Sequence, residues 1–313
     1  MSPSIERAVI DAARPACNPE LIRTLVHKRF PENVLLTGIR ACAADHFMCT
    51  GRLPAAHSLF NDTGRTPRQD ILFYTEVGRQ ASLAVTHAFL NVGLDEVFIF
   101  ERSEASLTEA IWRLPSSADT VDIEITIRDA VRRKGAVSRV IADHSMTVGG
   151  EHVFRGTGQW TVQSPAIFKR VRRGSTEAIA PASPPAGAPP ASNRVIMPLS
   201  ASGPGVLSTS LVVDTTHPFF FDHACDHVPG MLLLEGFAQV ALGACASSGA
   251  VPGEMAVMAY EADFSQFVEC NLPALLKARP IDAGPGAGLS FEIVLEQRNA
   301  VAGSARLRVG FPG

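Results

Sequence analysis

Residues 217–246, HPFFFDHACDHVPGMLLLEGFAQVALGACA, restrict the fold more than any other stretch of this chain. Pro229-Gly230 opens a run of Leu, Met, Ala and Phe about four or five turns long, which reads as a buried helix. Two polar residues, Glu235 and Gln239, interrupt it. They stand four apart and so share one face. A carboxylate buried there needs a partner. His223 and His227, on the polar run that feeds the helix together with Asp222 and Asp226, are the donors expected to meet it.

Taken in order, the rest of the chain repeats one pattern. Residues 1–25 read as a mixed, polar extension. VLLTGIRACAADHFMCTGRL reads as two strands turning near Ala44-Asp45. Asp70 is placed to cap a helix over about residues 70–91, on which Glu76, Gln80, Leu83 and His87 share a face, with Gly93 as its stop. Strand text follows at EVFIFERSEASL, TVDIEITIRDAVRRKG and a pair turning at Gly149-Gly150. The Pro/Ala/Ser-rich residues 174–193 read as a flexible linker between a first domain, 26–173, and a second, 194–313. Beyond it the order recurs: a strand at GVLSTSLVVD, the helix over about 229–248, then four more strands. A long helix followed by antiparallel strands in each half implies an α+β fold.

With 313 residues and 46% hydrophobic content, the chain has enough apolar mass for one large or two medium cores. A net charge of -3 argues against a nucleic-acid partner. The N-terminal residues lack the apolar core of a secretory signal, and the sequence shows no uncharged membrane-spanning run, so no membrane partner is expected. The six cysteines have no C-x-x-C spacing and read as reduced cytosolic thiols.

The string DHACDHVPGM resembles the D-H-P-x-D-H-V-P-G-M run in the second half of the A-factor biosynthesis hotdog family, with Ala224 where that family has proline. In the first half, VHKR, PAAHSLF and EVGRQ resemble the same family's V-H-K-R, P-x-A-H-S and E-x-x-R-Q. The resemblance covers about residues 26–100 and 206–245. It implies a tandem hotdog, each half a long helix wrapped by a curved antiparallel sheet, forming a pseudo-dimer within one chain and leaving a further homodimer open. It also implies an acyltransferase of γ-butyrolactone signal synthesis, without a cofactor. Such an enzyme moves a 3-oxoacyl group from acyl carrier protein to dihydroxyacetone phosphate, and the ester then closes to a butenolide phosphate. One departure stands out: the family's second helix carries arginine before glutamine, whereas here Ala238 precedes Gln239. That departure keeps a 3-hydroxyacyl thioester dehydratase using His223 and Glu235 as a second reading. A non-catalytic acyl- or lactone-binding protein is a third.

Glu76 and Arg79, three apart, read either as a surface ion pair or as a base and an anion clamp. Glu76, Arg79, His223 and Glu235 are the expected catalytic residues. His57, Gln80, Gly230, Gln239, Asp226 and His227 are expected to bind substrate, Gly230 by letting a thioester approach the free N–H groups of its helix. His57, Asp226 and His227 read equally as loop braces, and His27 and His87 as structural. No metal-site spacing is recognised. Arg65, Arg68, Lys169, Arg170, Arg172 and Arg173 are candidates to meet an acidic carrier or a phosphate. In hotdog dimers the histidine and the acid come from opposite subunits. Carried over, that pairs His57 with Glu235, and His223 with Glu76 and Arg79.

Overall fold

Twelve antiparallel strands form one sheet. They are β1 (Leu36–Ala41), β2 (His46–Arg52), β3 (Val97–Leu107), β4 (Thr120–Arg133), β5 (Ala136–Val148), β6 (Glu151–Gln163), β7 (Ser200–Gly203), β8 (Val206–Ser210), β9 (Ala256–Phe264), β10 (Leu275–Ile281), β11 (Leu289–Gln297) and β12 (Ala300–Gly310). Among the described residues the α-helices are α1 (Pro19–Leu25), α2 (Ile71–Phe89), α3 (Pro165–Val171) and α4 (Gly230–Ser247). This computed structural model describes residues 18–55, 57–60, 66–173, 175, 192–251, 253–282 and 288–312. Residues 1–17, Arg65 and most of the expected linker (174 and 176–191) lie outside the described residues.

The sheet order is β1-β2-β4-β5-β6-β3-β9-β12-β11-β10-β8-β7. Read outward from the centre, each first-half strand has a second-half counterpart in the same place: β3 with β9, β6 with β12, and so on to β1 with β7. The halves join through the β3–β9 ladder, where Glu104 faces Glu261 and Ala105 faces Tyr260. This is the tandem hotdog, with two sheets fused into one.

Both central helices form where the sequence places them. Asp70 caps α2 through a 3.0 Å bond from the Leu72 N–H to its carboxylate. The helix ends earlier than Gly93, because Asn91 takes the left-handed conformation (φ 61°) that asparagine tolerates. Every residue of α2 from Ile71 to His87 is buried except Arg79. Helix α4 has the length and hydropathy of a membrane span, but 72% of it is buried inside the protein. Its apolar surface serves the core, packed on β9, β10, β11 and β12.

Two short helices depart from the sequence expectation. Part of the expected polar extension is α1, which Asn18 caps and Pro19 opens, burying Ile22 and Leu25. The basic run FKRVRRG includes the end of α3 and is only partly solvated: Lys169, Arg170 and Arg173 are exposed, whereas the Arg172 side chain is 7% exposed.

Candidate active site

The exposed part of α2 is where charge collects. Glu76 is fully buried and accepts both Arg79 Nε (2.7 Å) and Arg79 Nη2 (2.8 Å). Gln80 Nε2 donates to the same carboxylate at 2.9 Å, and Lys28 Nζ lies 3.3 Å away. Burial alone would raise the Glu76 pKa, but Arg79 and Lys28 overcome it and hold the carboxyl at about 2. Lys28 is itself buried, lies 3.9 Å from Asp222 and stacks over the Phe219 ring at 4.4 Å. Burial pulls its pKa down, with Arg79 adding to the shift and Glu76 and Asp222 opposing it.

The second half contributes the facing wall. Asp222 accepts the N–H groups of Arg29 (2.6 Å) and Phe30 (3.1 Å) and the side-chain amide of Asn33 (2.8 Å). This carboxylate therefore fixes the VHKR loop that carries Lys28. Next to it His223 keeps an accessible ring. The surrounding protein and the Lys28 and Arg79 cations lower its pKa to about 4, so the ring is neutral near pH 7. His27 lies close enough to feel His223 and Arg79, and its Nε2 meets His87 Nε2 at 2.8 Å.

His57 joins this cluster electrostatically. Burial, and next the Arg52 cation, depress its pKa to about 4, with Glu76 and Lys28 also acting on it. Its ring packs on Phe60 and Phe219, and its Nδ1 accepts the Leu59 N–H at 3.1 Å. The Arg52 guanidinium donates to the carbonyls of Pro31 and Glu32. Lys28 and Arg79 thus stand against Glu76 and Asp222, with Arg52 acting on His57 beside them.

His227 Nδ1 is bonded to Asp226 at 2.6 Å, and the charges acting on His223 are Lys28, Arg79, Asp222 and Glu76. Glu235 is buried and accepts Gln239 Nε2 at 2.8 Å. Gln80 and Gln239, expected to bind substrate, each engage the protein backbone. Gln80 bonds the Asn33 carbonyl and the Leu35 N–H, each at 2.8 Å. Gln239 bonds the Asn193 carbonyl (2.7 Å) and the Val195 N–H (3.0 Å). Both amides tie a central helix to the chain beside it.

Asp226 and His227 are braces as well. Arg172 donates to the Asp226 carboxylate (2.9 Å) and carbonyl (2.7 Å) and grips Glu269 at 2.9 and 3.0 Å. Its guanidinium lies over Phe267. That clamp fixes the loop entering α4 and removes Arg172 from any docking role. Arg68 is similarly used, donating to the carbonyls of Ser116 and Ala118. Gly230 starts α4 with no side-chain cap, and a Cβ there would lie 3.1 Å from Phe100. Phe100 and Arg79 both line a cavity between α2 and the sheet. The uncapped start of α4 therefore borders the wall of that cavity, whose lining comes from the first half apart from Tyr260.

A family model described as the A-factor biosynthesis hotdog domain matches residues 11–164 and 191–311. The chain belongs to this family. Among its relatives, the 2-oxo-3-(phosphooxy)propyl 3-oxoalkanoate synthase of Streptomyces virginiae is 28% identical over 266 residues, covering 83% of this chain and 87% of that one. The protein of the same name from Streptomyces coelicolor is 28% identical over 301 residues, covering 92% and 89%. The structure of a Lactobacillus plantarum protein assigned as an oleoyl thioesterase shares the fold at a TM-score of 0.54 and 8% identity, covering 87% of this chain and 98% of that one.

Within the A-factor hotdog fold, sequence reasoning found the Glu76–Arg79 pair and His223 but passed over Lys28, Asn33 and Asp222. The signal for Lys28 was present in the VHKR motif. Nothing in the local text, however, shows that its loop is held by a carboxylate nearly two hundred residues away.

Proposed function

We propose that this protein is an acyltransferase that joins a 3-oxoacyl group, delivered as a thioester on acyl carrier protein, to the hydroxyl of dihydroxyacetone phosphate. The product is then a 2-oxo-3-(phosphooxy)propyl 3-oxoalkanoate, the ester named in its Streptomyces relatives. Arg79 carries the reading. It is the one residue from Ile71 to His87 of α2 that is not buried, and it is held in place by the buried Glu76. A phosphate on the acceptor matches its guanidinium.

In this reading Glu76 is not the base. A carboxylate held at about 2 and bonded by Arg79, Gln80 and Lys28 has little affinity for a proton. Its task is to aim Arg79 and Lys28. The neutral imidazole of His223 takes the proton of the acceptor hydroxyl as its oxygen attacks the thioester carbonyl. A C–O bond forms, the C–S bond breaks, and the proton passes to the departing sulfur. The N–H groups at the start of α4 stabilise the oxyanion. The dehydratase reading uses His223 with Glu235 and has no role for the buried Glu76, Arg79 and Lys28 cluster, which the acyl-transfer reading employs. Incubation with 3-oxoacyl carrier protein and dihydroxyacetone phosphate, followed by mass analysis, is expected to show the phosphorylated ester. An unchanged acyl carrier protein, or simple hydrolysis that ignores the acceptor, would overturn the proposal.

A further inference from the structure

Helix α3 has two unlike faces. Phe168 and Arg172, four apart, turn inward. Phe168 packs on His227 and Phe267, and Arg172 holds Asp226 and Glu269. Ile167 and Val171, also four apart, turn outward and are 48% and 56% exposed. Lys169, Arg170 and Arg173 are exposed beside them, and their side chains make no ion pair among the described residues. Solvation accounts for the cations but gains nothing from two aliphatic side chains exposed among them.

The fold brings a second basic run to the same place. The β4–β5 turn carries Arg133 and Lys134, also exposed. Arg133 faces Ala136 across that turn, and Arg139 of β5 faces Thr161 of β6. Helix α3 begins at Pro165, just past the end of β6 at Gln163. Neighbouring strands lie about 4.8 Å apart, so the two runs share one end of the sheet, roughly 10 Å from each other across it. Asp95 and Glu96, on the loop before β3, leave these five cations in excess. The chain as a whole has a net charge of -3, so the positive field here is a local feature.

The same end holds the start of α4. Val97 at the beginning of β3 faces Gln163 at the end of β6. A Cβ on Gly230, at the start of α4, would lie 3.1 Å from Phe100 of β3. The loop that Arg172 clamps at Asp226 runs from His223 to that helix start. Helix α3 is therefore the outer support of the loop that carries His223. A partner seated on it stands at the rim of the site without filling it.

We propose that the outward face of α3, with Ile167 and Val171 at its centre and Lys169, Arg170 and Arg173 around them, docks an acidic carrier-protein domain. The choice of a carrier protein rests on the acyl-transfer reading. The surface itself follows from exposure and charge. An apolar centre inside a cationic rim fits an acidic partner that buries a few aliphatic side chains of its own. Arg133 and Lys134 extend the field and steer the approach. Seated there, the carrier presents its thioester arm to the start of α4.

The test titrates the full chain with a type II fatty-acid-synthesis acyl carrier protein in its phosphopantetheinyl form, followed by fluorescence anisotropy. Binding is expected to weaken as salt rises. The double variant Lys169→Glu/Arg170→Glu is expected to weaken it about tenfold or more, and Ile167→Ser/Val171→Ser severalfold, with melting temperatures unchanged because these side chains are exposed. Arg113→Glu/Arg155→Glu, an equal charge change at two other exposed cations, is the control and is expected to leave binding near native. No binding, equal weakening by the control, or binding indifferent to both α3 variants would each overturn the proposal. So would sedimentation showing a dimer that Ile167→Ser/Val171→Ser dissolves, since a second copy would then cover the face. Turnover separates the surface from the reading on which it rests. Carrier binding that depends on α3 but yields no ester sinks only the acyltransferase. Ester formation whose KM for 3-oxoacyl carrier protein ignores the α3 variants sinks only the surface. If both stand, that KM rises in Lys169→Glu/Arg170→Glu while the KM for 3-oxoacyl pantetheine stays near native.

Discussion

The two central helices carry the same staple and differ in what is attached to it. In the first half, Gln80 bonds the Asn33 carbonyl, the Leu35 N–H and Glu76. In the second, Gln239 bonds the Asn193 carbonyl, the Val195 N–H and Glu235. The matched distances agree within about 0.2 Å, and the crossing is reciprocal. Asn33 reaches the Pro218 carbonyl of the second half, and Asn193 the Ser58 carbonyl of the first. The position three residues after the glutamate breaks the symmetry. Arg79 stands there in the first half and a fully buried Ala238 in the second. A buried Glu-x-x-x-Gln on a hotdog helix is therefore a device for fastening a helix to the neighbouring chain. It becomes chemical machinery only when cations are added to it.

The comparison is broken most directly at the arginine. Arg79→Ala is expected to lower turnover by about a hundredfold, the scale of one lost oriented charge contact in a transition state. The Gln80 bonds remain, but the buried Glu76 loses its bidentate partner, so the melting temperature should fall as well. Steady-state assay of ester formation on the folded variant checks this, and near-native turnover would mean that the helices differ for reasons unrelated to catalysis.

Glu76→Gln tests the other side of the asymmetry. Lys28 and Arg79 both lean on this carboxylate, and Lys28 has only Asp222, at 3.9 Å, as a second anion among its described ion pairs. Removing one partner of a buried ion pair costs about 3 kcal/mol. Denaturant unfolding should show a loss of that order, together with lost turnover. A variant as stable as the wild type would show that Lys28 does not depend on Glu76.

The staples should also part company in acid. Asn193 Oδ1 is held by His217 Nε2 at 2.9 Å, while His217 Nδ1 accepts the Phe219 N–H at 3.2 Å. The second bond requires the neutral ring, since a protonated Nδ1 cannot accept. Burial lowers its pKa from 6.5 to about 4, opposed by Asp214, the charged group that acts on it. A depressed histidine contributes stability that is full above the unfolded value, about 6.5, and is lost as pH falls towards 4. In the first half Asn33 is held by Asp222, and no histidine takes part in that bond. Hydrogen exchange, corrected for its intrinsic pH dependence, should therefore show protection falling at residues 193–196 before residues 33–36 between pH 7 and 5. Equal loss in both would refute the distinction.

Much of the fold was legible because its signals are local. The cap at Asp70, the Pro-Gly entry to α4 and the Gly149-Gly150 turn each report on a few neighbouring residues. The repeat of helix and strands then fixed the tandem arrangement. The site was legible only in part, since its decisive contacts cross the halves. Asp222 reaching Arg29 and Phe30, and Arg172 gripping Asp226 and Glu269, join residues with no common local pattern. The loop before α4 meets the first half through Asp222, a contact that closeness in sequence does not reveal. The i+3 arginine of Glu76 is visible in the text, whereas Lys28, which also pairs with it, sits 48 residues earlier.

The smallest expected effect belongs to Glu235. Its carboxylate shares the staple geometry of Glu76 and accepts the Gln239 amide, but Ala238 stands where the first helix has Arg79. A Gln at position 235 keeps a side-chain oxygen that can accept the same bond. It also removes a charge from a buried site where desolvation is unfavourable. The two changes oppose one another, so Glu235→Gln should alter stability by less than about 1 kcal/mol and turnover by less than about threefold. Glu76→Gln, the same substitution on the same scaffold, is expected to be damaging. Measuring both variants under one set of conditions isolates what Lys28 and Arg79 add. If Glu235→Gln abolishes ester formation while the protein stays folded, the second helix supplies a catalytic carboxylate, and the division of labour between the two halves is wrong.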